Sequence, residues 1–337
     1  MKTTRIAING FGRIGRSFLR EAWGMPEFEI AAINDLADTA TLSYLLKYDS
    51  VYGRYKKEVT AGDGWIKIDG AEVKVLAQKD PAALPWKDLG IDIVIEATGF
   101  FASGEKSQVH LNAGAKHVVI TAPASGEGVT TALIGVNDDR FASAKPITCN
   151  ASCTTNSAAP VMKILMDNFG IRKAAMVTVH GYTATQKLVD SPDGKDMRRG
   201  RAAAVNIVPS TTGAADAVIQ AIPELAGKFD AVAVRVPTIS GSLSVMTAAL
   251  EKKTTREAVN DVFKKAAGDP RWSKVLKTTE DSLVSTDILG EPYGAIVDVS
   301  LTKVIDGDLI EVFSWYDNEA GYTATLIEHM KRIVAYP

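Results

Sequence analysis

Cysteine is scarce in this chain of 337 residues: Cys149 and Cys153 are the two, four positions apart. Such a pair provides neither a disulfide framework nor a four-ligand zinc pattern. Four scattered histidines, His110, His117, His180 and His329, add no metal-ligand spacing, so no metal site is expected. An excess of one charge is also lacking. Lys and Arg number 38 against 40 Asp and Glu, and a net charge of −2 supplies no global basic field for nucleic acid or an anionic membrane. The one basic cluster, Arg198-Arg199-Gly200-Arg201, is too short for a nucleic-acid stripe and fits a solvated loop or a small-anion site. Long apolar runs are missing too: residues 4–9 are apolar but short, with Arg13 and Arg16 close behind. Neither a signal nor a membrane span is expected, and the cytoplasm is the expected location. There is no internal repeat, no low-complexity stretch and no obvious linker. What remains is a hydrophobic fraction of 46% in a length with room for two domains.

Among what is there, Ala151-Ser152-Cys153-Thr154-Thr155-Asn156 stands out as a lone thiol among hydroxyl and amide side chains. Residues 157–169 follow with helical apolar spacing, Val161, Ile164, Leu165 and Phe169 on roughly one face, which puts Cys153 at or just before a helix N-terminus. Unpaired N–H groups and the helix dipole there favour a thiolate, so the expectation is a lowered pKa and a nucleophilic sulfur. The alternative, a buried structural cysteine, suits most free cysteines but not these polar neighbours.

The chain begins with a short apolar strand at 5–9 running into Gly10-Phe11-Gly12-Arg13-Ile14-Gly15, then a helical stretch to about Trp23. A G-x-G-x-x-G pattern gains force from its context, and here a second strand at 28–33 ends at Asp35, an acidic residue about 20 positions on. Gly10 would permit the tight turn, Gly12 the approach of a pyrophosphate to the backbone and Gly15 close packing, while Asp35 would accept an adenosine ribose's hydroxyls. A short helix at 39–46 and strands broken by Ala61-Gly62-Asp63-Gly64 and Asp69-Gly70 read as an antiparallel insertion. Residues 91–97 and 116–121 read as continuous apolar strands of a parallel sheet, with Thr98, Gly99 and Thr121 at the carboxyl ends where ligands collect. One more strand is expected at 131–136.

Beyond the cysteine helix, a strand at 174–179 delivers His180. A long aperiodic segment runs from about 183 to 204, and Pro209-Ser210-Thr211-Thr212-Gly213 precedes a helix at about 214–222, a plausible anion site. Strands at 231–236, 242–251, 294–304 and 309–315, with helices at 256–267 and from Asp317-Asn318-Glu319 to about Val334, make an α+β domain with a mostly antiparallel sheet. The expected fold is thus an α/β Rossmann-type nucleotide-binding domain joined to an α+β catalytic domain.

A soft nucleophile, a histidine base and a dinucleotide suit one reaction type. A thiolate adds to an aldehyde, a base takes the hydroxyl proton as hydride leaves, and water or phosphate attacks the thioester. Thr183, Arg199, Thr212, Gly213 and Arg235 are hydroxyl, backbone and guanidinium groups able to converge on anions, though each is also at home as a cap, a turn or a surface ion pair.

With "INGFGRIGR", "KYDSVYGR", "NASCTTN", "TATQK", "TTGAA", "RVPT" and "SWYDNEAGY" in order, the chain resembles the phosphorylating glyceraldehyde-3-phosphate dehydrogenases over essentially its whole length. The resemblance implies oxidative phosphorylation of D-glyceraldehyde 3-phosphate with NAD. By the same likeness Cys153 is the nucleophile and His180 its activating partner. Thr183, Arg199 and Arg235 would line a substrate-phosphate pocket, and Ser152, Thr154, Thr212 and Gly213 an inorganic-phosphate pocket. Asn318 would orient the nicotinamide amide, and cofactor contacts extend to Asn9, Phe11, Arg13, Ile14 and Tyr322. It further implies a homotetramer, with the irregular loop at a subunit interface, and a nucleotide domain of residues 1–152 and 319–337 around a catalytic domain of 153–318. Related possibilities are an erythrose-4-phosphate dehydrogenase, which the Thr212-Gly213 match disfavours, and a non-catalytic dinucleotide-binding protein. Asp35 before Leu36 favours NAD, whereas Ser191 before Pro192 leaves NADP use open. Three departures from the family pattern are Ser157 in place of a second cysteine, Thr148-Cys149, and Ile239-Ser240-Gly241-Ser242 after "RVPT".

Overall fold

The computed structural model describes residues 3–194 and 196–335. Two compact units result: the chain up to Ala132 with Asp138–Ala151 and the chain from Leu326 on, and Leu133–Asn137 with Ser152–Thr325. The expected division at 152/153 and 318/319 differs from this by one residue at the first point. At the second, the start of the last helix stays with the second unit.

In the first unit β1 (Thr4–Asn9), α1 (Arg13–Ala22), β2 (Phe28–Asn34) and α2 (Thr39–Lys47) are followed by β3 (Val59–Gly62), β4 (Trp65–Ile68) and β5 (Ala71–Leu76). Next come β6 (Ile93–Glu96), α3 (Gly104–Asn112), β7 (His117–Ile120), β8 (Val129–Thr131), the single turn α4 (Asp139–Ala142) and β9 (Ile147–Cys149). Among the described residues they form a nine-stranded sheet in the order β3-β4-β5-β2-β1-β6-β7-β9-β8. Only the β3-β4-β5 hairpins pair antiparallel, which is the expected insertion. All of β6 is buried, as a strand of a parallel sheet covered on both faces must be. The register sets Asn9 opposite both Asn34 and Glu96, so three polar residues meet at the carboxyl ends of the central strands.

The strand expected at 131–136 stops at Thr131. Asn137 Oδ1 accepts the N–H of Leu133 at 2.7 Å, and Gly135 adopts φ +80°, so a turn replaces the extended run.

The second unit opens with α5 (Cys153–Phe169) and β10 (Ile171–Gly181), then β11 (Val208–Ser210), α6 (Ala214–Ala221), β12 (Phe229–Val236) and β13 (Ser242–Leu250). Its remaining elements are α7 (Arg256–Gly268), β14 (Leu276–Thr279), β15 (Ala295–Asp298), β16 (Lys303–Ile305), β17 (Leu309–Tyr316) and the start of α8 (Ala320–Ala335). The sheet order is β11-β12-β10-β13-β17-β15-β14, with β16 on β17; β10-β12 and β14-β15 are parallel and the other pairs antiparallel. Residues 294–304, expected as one strand, are two. Asp298 accepts from the N–H and the hydroxyl of Ser300 at 3.1 and 2.6 Å and turns the chain between β15 and β16. Helices α5, α6 and α7 pack against the sheet, and along β10 the side chains of Met176, Thr178 and His180 are buried while Ala175 and Val177 are exposed.

Candidate functional site

Glycines shape the groove of the first unit. Gly10 has φ +94°, and a Cβ there would lie 2.7 Å from the Thr98 nitrogen; one on Gly15 would lie 2.3 Å from the Gly10 oxygen. Nothing stands within 4 Å of a Cβ on Gly12, which is exposed and caps α1 with no side-chain hydrogen bond. Backbone donors of the first turn of α1 are therefore not taken up by a cap, the condition under which a helix start binds phosphate. Around this point Asn9, Gly10, Gly12, Asn34, Asp35, Leu36, Gln78, Lys79, Thr98 and Phe100 help to line a groove of about 600 Å³. Asp35 is held at its edge: Oδ2 accepts the Phe11 N–H at 2.8 Å and Oδ1 the Ala37 N–H at 3.0 Å. Each oxygen keeps a lone pair for a further donor such as a ribose hydroxyl. The residues fit a dinucleotide. Arg13 is committed elsewhere, both Nη atoms on Asp49 and its guanidinium over Tyr52, while Ile14 is half-buried in α1. Gly99 adopts φ +75° in open space.

Under the groove lies a polar network that reading 91–97 as a continuous apolar strand overlooks. Glu96 is buried at the end of β6. Its Oε2 accepts from Asn9 Nδ2 at 2.6 Å and lies 3.1 Å from His110 Nε2; its Oε1 accepts the N–H of Thr98 at 2.9 Å and also the Thr98 hydroxyl. The Trp86 indole N–H donates to His110 Nδ1 at 3.2 Å, so the proton of His110 sits on Nε2 and points at Glu96. The Thr121 hydroxyl donates to the Glu96 carbonyl at 3.1 Å. Thr98 and Asn9 are thereby fixed at the lip. A carboxylate at the end of an apolar strand was the available signal.

The thiol site belongs wholly to the second unit. Ser152 caps α5, its hydroxyl accepting the Thr155 N–H at 3.0 Å, so Cys153 is the first helical residue. Its Sγ lies 3.5 Å from His180 Nε2. His180 reaches it because β10 runs eleven residues, and β10 and β12 set His180 beside Arg235. His180 Nδ1 is 2.7 Å from the Gly181 carbonyl and 2.6 Å from Arg235 Nη1, which also donates to that carbonyl at 3.1 Å. Tyr316 stacks edge-on against the imidazole, and its hydroxyl bonds Thr154 and Thr178 at 2.9 and 2.7 Å. The motif containing Tyr316 is conspicuous in the sequence, but its place beside the histidine is not.

The expected lowering of the Cys153 pKa is reversed. Desolvation pushes the thiol above its ordinary value, and the Arg235 charge with the Thr154 hydroxyl and N–H recovers only part of that. Position at a helix start is legible in sequence; the depth of the sulfur is not. Burial, with Arg235 second, depresses His180 to about 3, so the imidazole is neutral at pH 7. Arg235 is itself lowered, by desolvation and in part by the neighbouring charge of Arg199. Two guanidiniums near enough to repel one another mark a place suited to an anion. By contrast, Cys149 is a buried donor to the Ala122 carbonyl, with its pKa pushed up to about 11. Its neighbour Thr148 donates to His329 Nε2 at 2.8 Å, which gives the Thr148-Cys149 departure a structural role.

Other anion candidates are less committed. Arg199 lies 4.0 Å from Asp193 and is half-buried; the Thr183 hydroxyl meets that of Thr185 at 3.0 Å. Thr212 Oγ1 accepts the Ala214 N–H, and Gly213 caps α6 without a side-chain bond. Asn318 is clamped: its Oδ1 accepts from the Ser240 hydroxyl, the Gly241 N–H and the Ser242 hydroxyl at 3.3, 3.0 and 3.2 Å. The serines of the Ile239–Ser242 departure thus orient that carboxamide and leave its NH2 to donate. Ser157 donates to Ser314 at 3.1 Å, tying α5 to β17. Tyr322 is buried in the part of α8 that belongs to the second unit. Among the described residues no group of three or more His, Cys, Asp or Glu side chains is arranged to hold a metal.

Comparison with known proteins agrees along the chain. Residues 4–104 match the glyceraldehyde 3-phosphate dehydrogenase NAD-binding domain, and residues 152–318 the C-terminal domain of the same family. The chain is 51% identical to a glyceraldehyde-3-phosphate dehydrogenase of Thermotoga maritima, over 98% of this chain and 99% of that protein. It is 47% identical to that of Streptomyces coelicolor, over 97% of each, and 47% identical to that of Clostridium pasteurianum, over 97% and 98%. The chain belongs to the glyceraldehyde-3-phosphate dehydrogenase family.

Proposed function

We propose that this chain oxidises D-glyceraldehyde 3-phosphate to 1,3-bisphosphoglycerate with NAD and inorganic phosphate. The observation that carries the reading is Cys153 Sγ 3.5 Å from His180 Nε2 at a helix start, with Arg235 against the same imidazole. A thiol with a raised pKa is a strong nucleophile once ionised, so the site needs a proton acceptor rather than a preformed thiolate. Cys153 Sγ attacks the aldehyde carbon; the resulting hydroxyl gives its proton to His180; a thioester remains on Cys153 and inorganic phosphate displaces it. NAD supplies the hydride acceptor when bound. Gly10, Gly12 and the first turn of α1 would hold its pyrophosphate, Asp35 its adenosine ribose and Asn318 its carboxamide. A carboxylate at Asp35 repels a 2′-phosphate, which favours NAD over NADP. Arg235, Arg199 and Thr183 are assigned to the substrate phosphate, and Ser152, Thr154, Thr212 and Gly213 to inorganic phosphate.

The assembly we assign is a homotetramer. Exposed Leu188, Val189, Met197, Val205 and Ile207 in the 183–207 segment, with Val177 and Val232 on the sheet, are apolar surface of a kind that partner chains cover. Two free thiols suit a reducing cytoplasm, where we place the protein. Turnover is tested by nicotinamide absorbance with glyceraldehyde 3-phosphate, with NAD or NADP, with and without phosphate, and with erythrose 4-phosphate as comparator. Phosphate-dependent formation of NADH is the expected result; no turnover with saturable NAD binding would leave only a nucleotide-binding protein. Light scattering at a mass other than four chains would remove the tetramer.

A further inference from the structure

Beneath the groove of the first unit, two chains of hydrogen bonds run toward one carboxylate. At one end the indole N–H of Trp86 donates to His110 Nδ1 at 3.2 Å, which puts the proton of the ring on Nε2, 3.1 Å from Glu96 Oε2. At the other end the backbone N–H of Gln78 donates to Asn34 Oδ1 at 2.9 Å, so Asn34 turns its nitrogen onward to Asn9 Oδ1 at 2.8 Å. Asn9 Nδ2 then donates to Glu96 Oε2 at 2.6 Å, beside the His110 N–H that shares this oxygen. The N–H and the hydroxyl of Thr98 both go to Oε1. Neither an indole N–H nor a backbone N–H can accept, so neither end can be turned round, and no amide flip or imidazole tautomer satisfies the network in reverse.

We infer that Glu96 is a positioning residue for the cofactor: as the one side chain of this network that only accepts, it holds Asn9, Asn34 and Thr98 in place on the wall of the groove. The inference rests on the reading of that groove as the NAD site. Asn9, Asn34, Gln78 and Thr98 line the groove, while Glu96 is buried behind them and acts through them. Thr98 also abuts the glycine turn, since a Cβ on Gly10 would lie 2.7 Å from the Thr98 nitrogen. There is no slack between the two, so a displaced Thr98 displaces the turn assigned to the pyrophosphate. An amide of the same shape in place of the carboxylate turns one acceptor into a donor. Its NH2 would meet Asn9 Nδ2 and His110 Nε2 on one side or the Thr98 N–H on the other, and either way buried donors face one another.

The test is Glu96→Gln in the full-length protein, with NAD affinity by calorimetry, denaturant unfolding of the NAD-free protein, and turnover on glyceraldehyde 3-phosphate. NAD should bind roughly tenfold or more weakly. At saturating NAD, kcat should stay within about twofold of wild type, because the thiol and its partners belong to the other unit. Wild-type NAD affinity, even with lowered stability, overturns the inference and leaves Glu96 a purely structural residue. An exchange supplies the rescue: Asn9→Asp with Glu96→Gln moves the single charge across one hydrogen bond. The new amide then donates to the new carboxylate, which still accepts from Asn34, and the amide oxygen still accepts from Thr98. His110 Nε2 already lies 3.5 Å from the Asn9 atom that becomes its acceptor. This double variant should bind NAD within about threefold of wild type, and it decides alone if Glu96→Gln does not fold. An exchange variant that is unfolded, or that binds no better than Glu96→Gln, overturns the inference. Wild-type protein that binds no NAD removes the reading of the groove as well, whereas wild-type binding matched by Glu96→Gln removes this inference alone.

Discussion

The two units build their sites by opposite means. In the first, the groove exists where side chains are missing: Gly12 leaves 4 Å of open space, and Gly10 and Gly15 let strand, turn and helix close on one another. The second gathers side chains at strand and helix ends around one buried imidazole, His180 lying 3.5 Å from Cys153 Sγ, 2.6 Å from Arg235 Nη1 and edge-on to Tyr316. A site of backbone recognises shape and charge and asks little of any one side chain. A site of side chains performs proton transfer and fails when one of them changes.

Substitutions can break or sharpen that contrast. Largest is the effect of Cys153→Ser, expected to cut turnover by about 10⁴-fold or more while calorimetric NAD affinity stays as in the wild type. Loss of both would mean that the thiol supports the groove and the contrast is false. His180→Asn should lower kcat by roughly 10²–10⁴-fold with little change in the KM for aldehyde. A variant keeping full kcat would dismiss the imidazole as the base.

The glycines supply the reciprocal comparison. Gly15→Ala places a methyl 2.3 Å from the Gly10 oxygen and 3.0 Å from Ile8 Cγ2, and a loss of about 1–3 kcal/mol is expected in denaturant unfolding. Gly12→Ala meets no atom, so stability should hold within about 0.5 kcal/mol. NAD affinity should nonetheless fall roughly tenfold, equivalent to about 1.4 kcal/mol, because the methyl occupies the ligand's approach. Equal stability losses in the two variants would contradict the groove geometry.

The smallest effect concerns a buried histidine used only for structure. His329 Nδ1–H donates to the Ala132 carbonyl, and Nε2 accepts from Thr148. Burial holds it at about 4, below the ordinary 6.5. A folded-state pKa lowered in this way contributes stability that is complete above pH 6.5 and lost as pH falls toward 4. His329→Gln keeps both hydrogen-bonding roles without a titrating ring, so its stability should decline less steeply across that window. Parallel curves for the two proteins would show that His329 does not titrate on unfolding.

Local rules made much of this legible. The glycine turn and Asp35 came from spacing, and α5 with Cys153 at its start came from apolar periodicity, since these depend on residues close to one another along the chain. Where neighbouring side chains compete with extension, as at Asn137 and Asp298, strand predictions ran too long.

By itself, then, the sequence determined the elements, the nucleotide turn and which sulfur stands at a helix start, because turn, cap and periodicity act over short separations. Only the tertiary structure decided how these atoms behave. Strand register brings Arg235 to His180, and sheet order puts Glu96 and His110 under the groove. Ser240 and Ser242 reach Asn318 across 78 and 76 positions. Desolvation turned the Cys153 pKa upward, because the cost of removing water is set by what surrounds an atom in space and not by its neighbours along the chain.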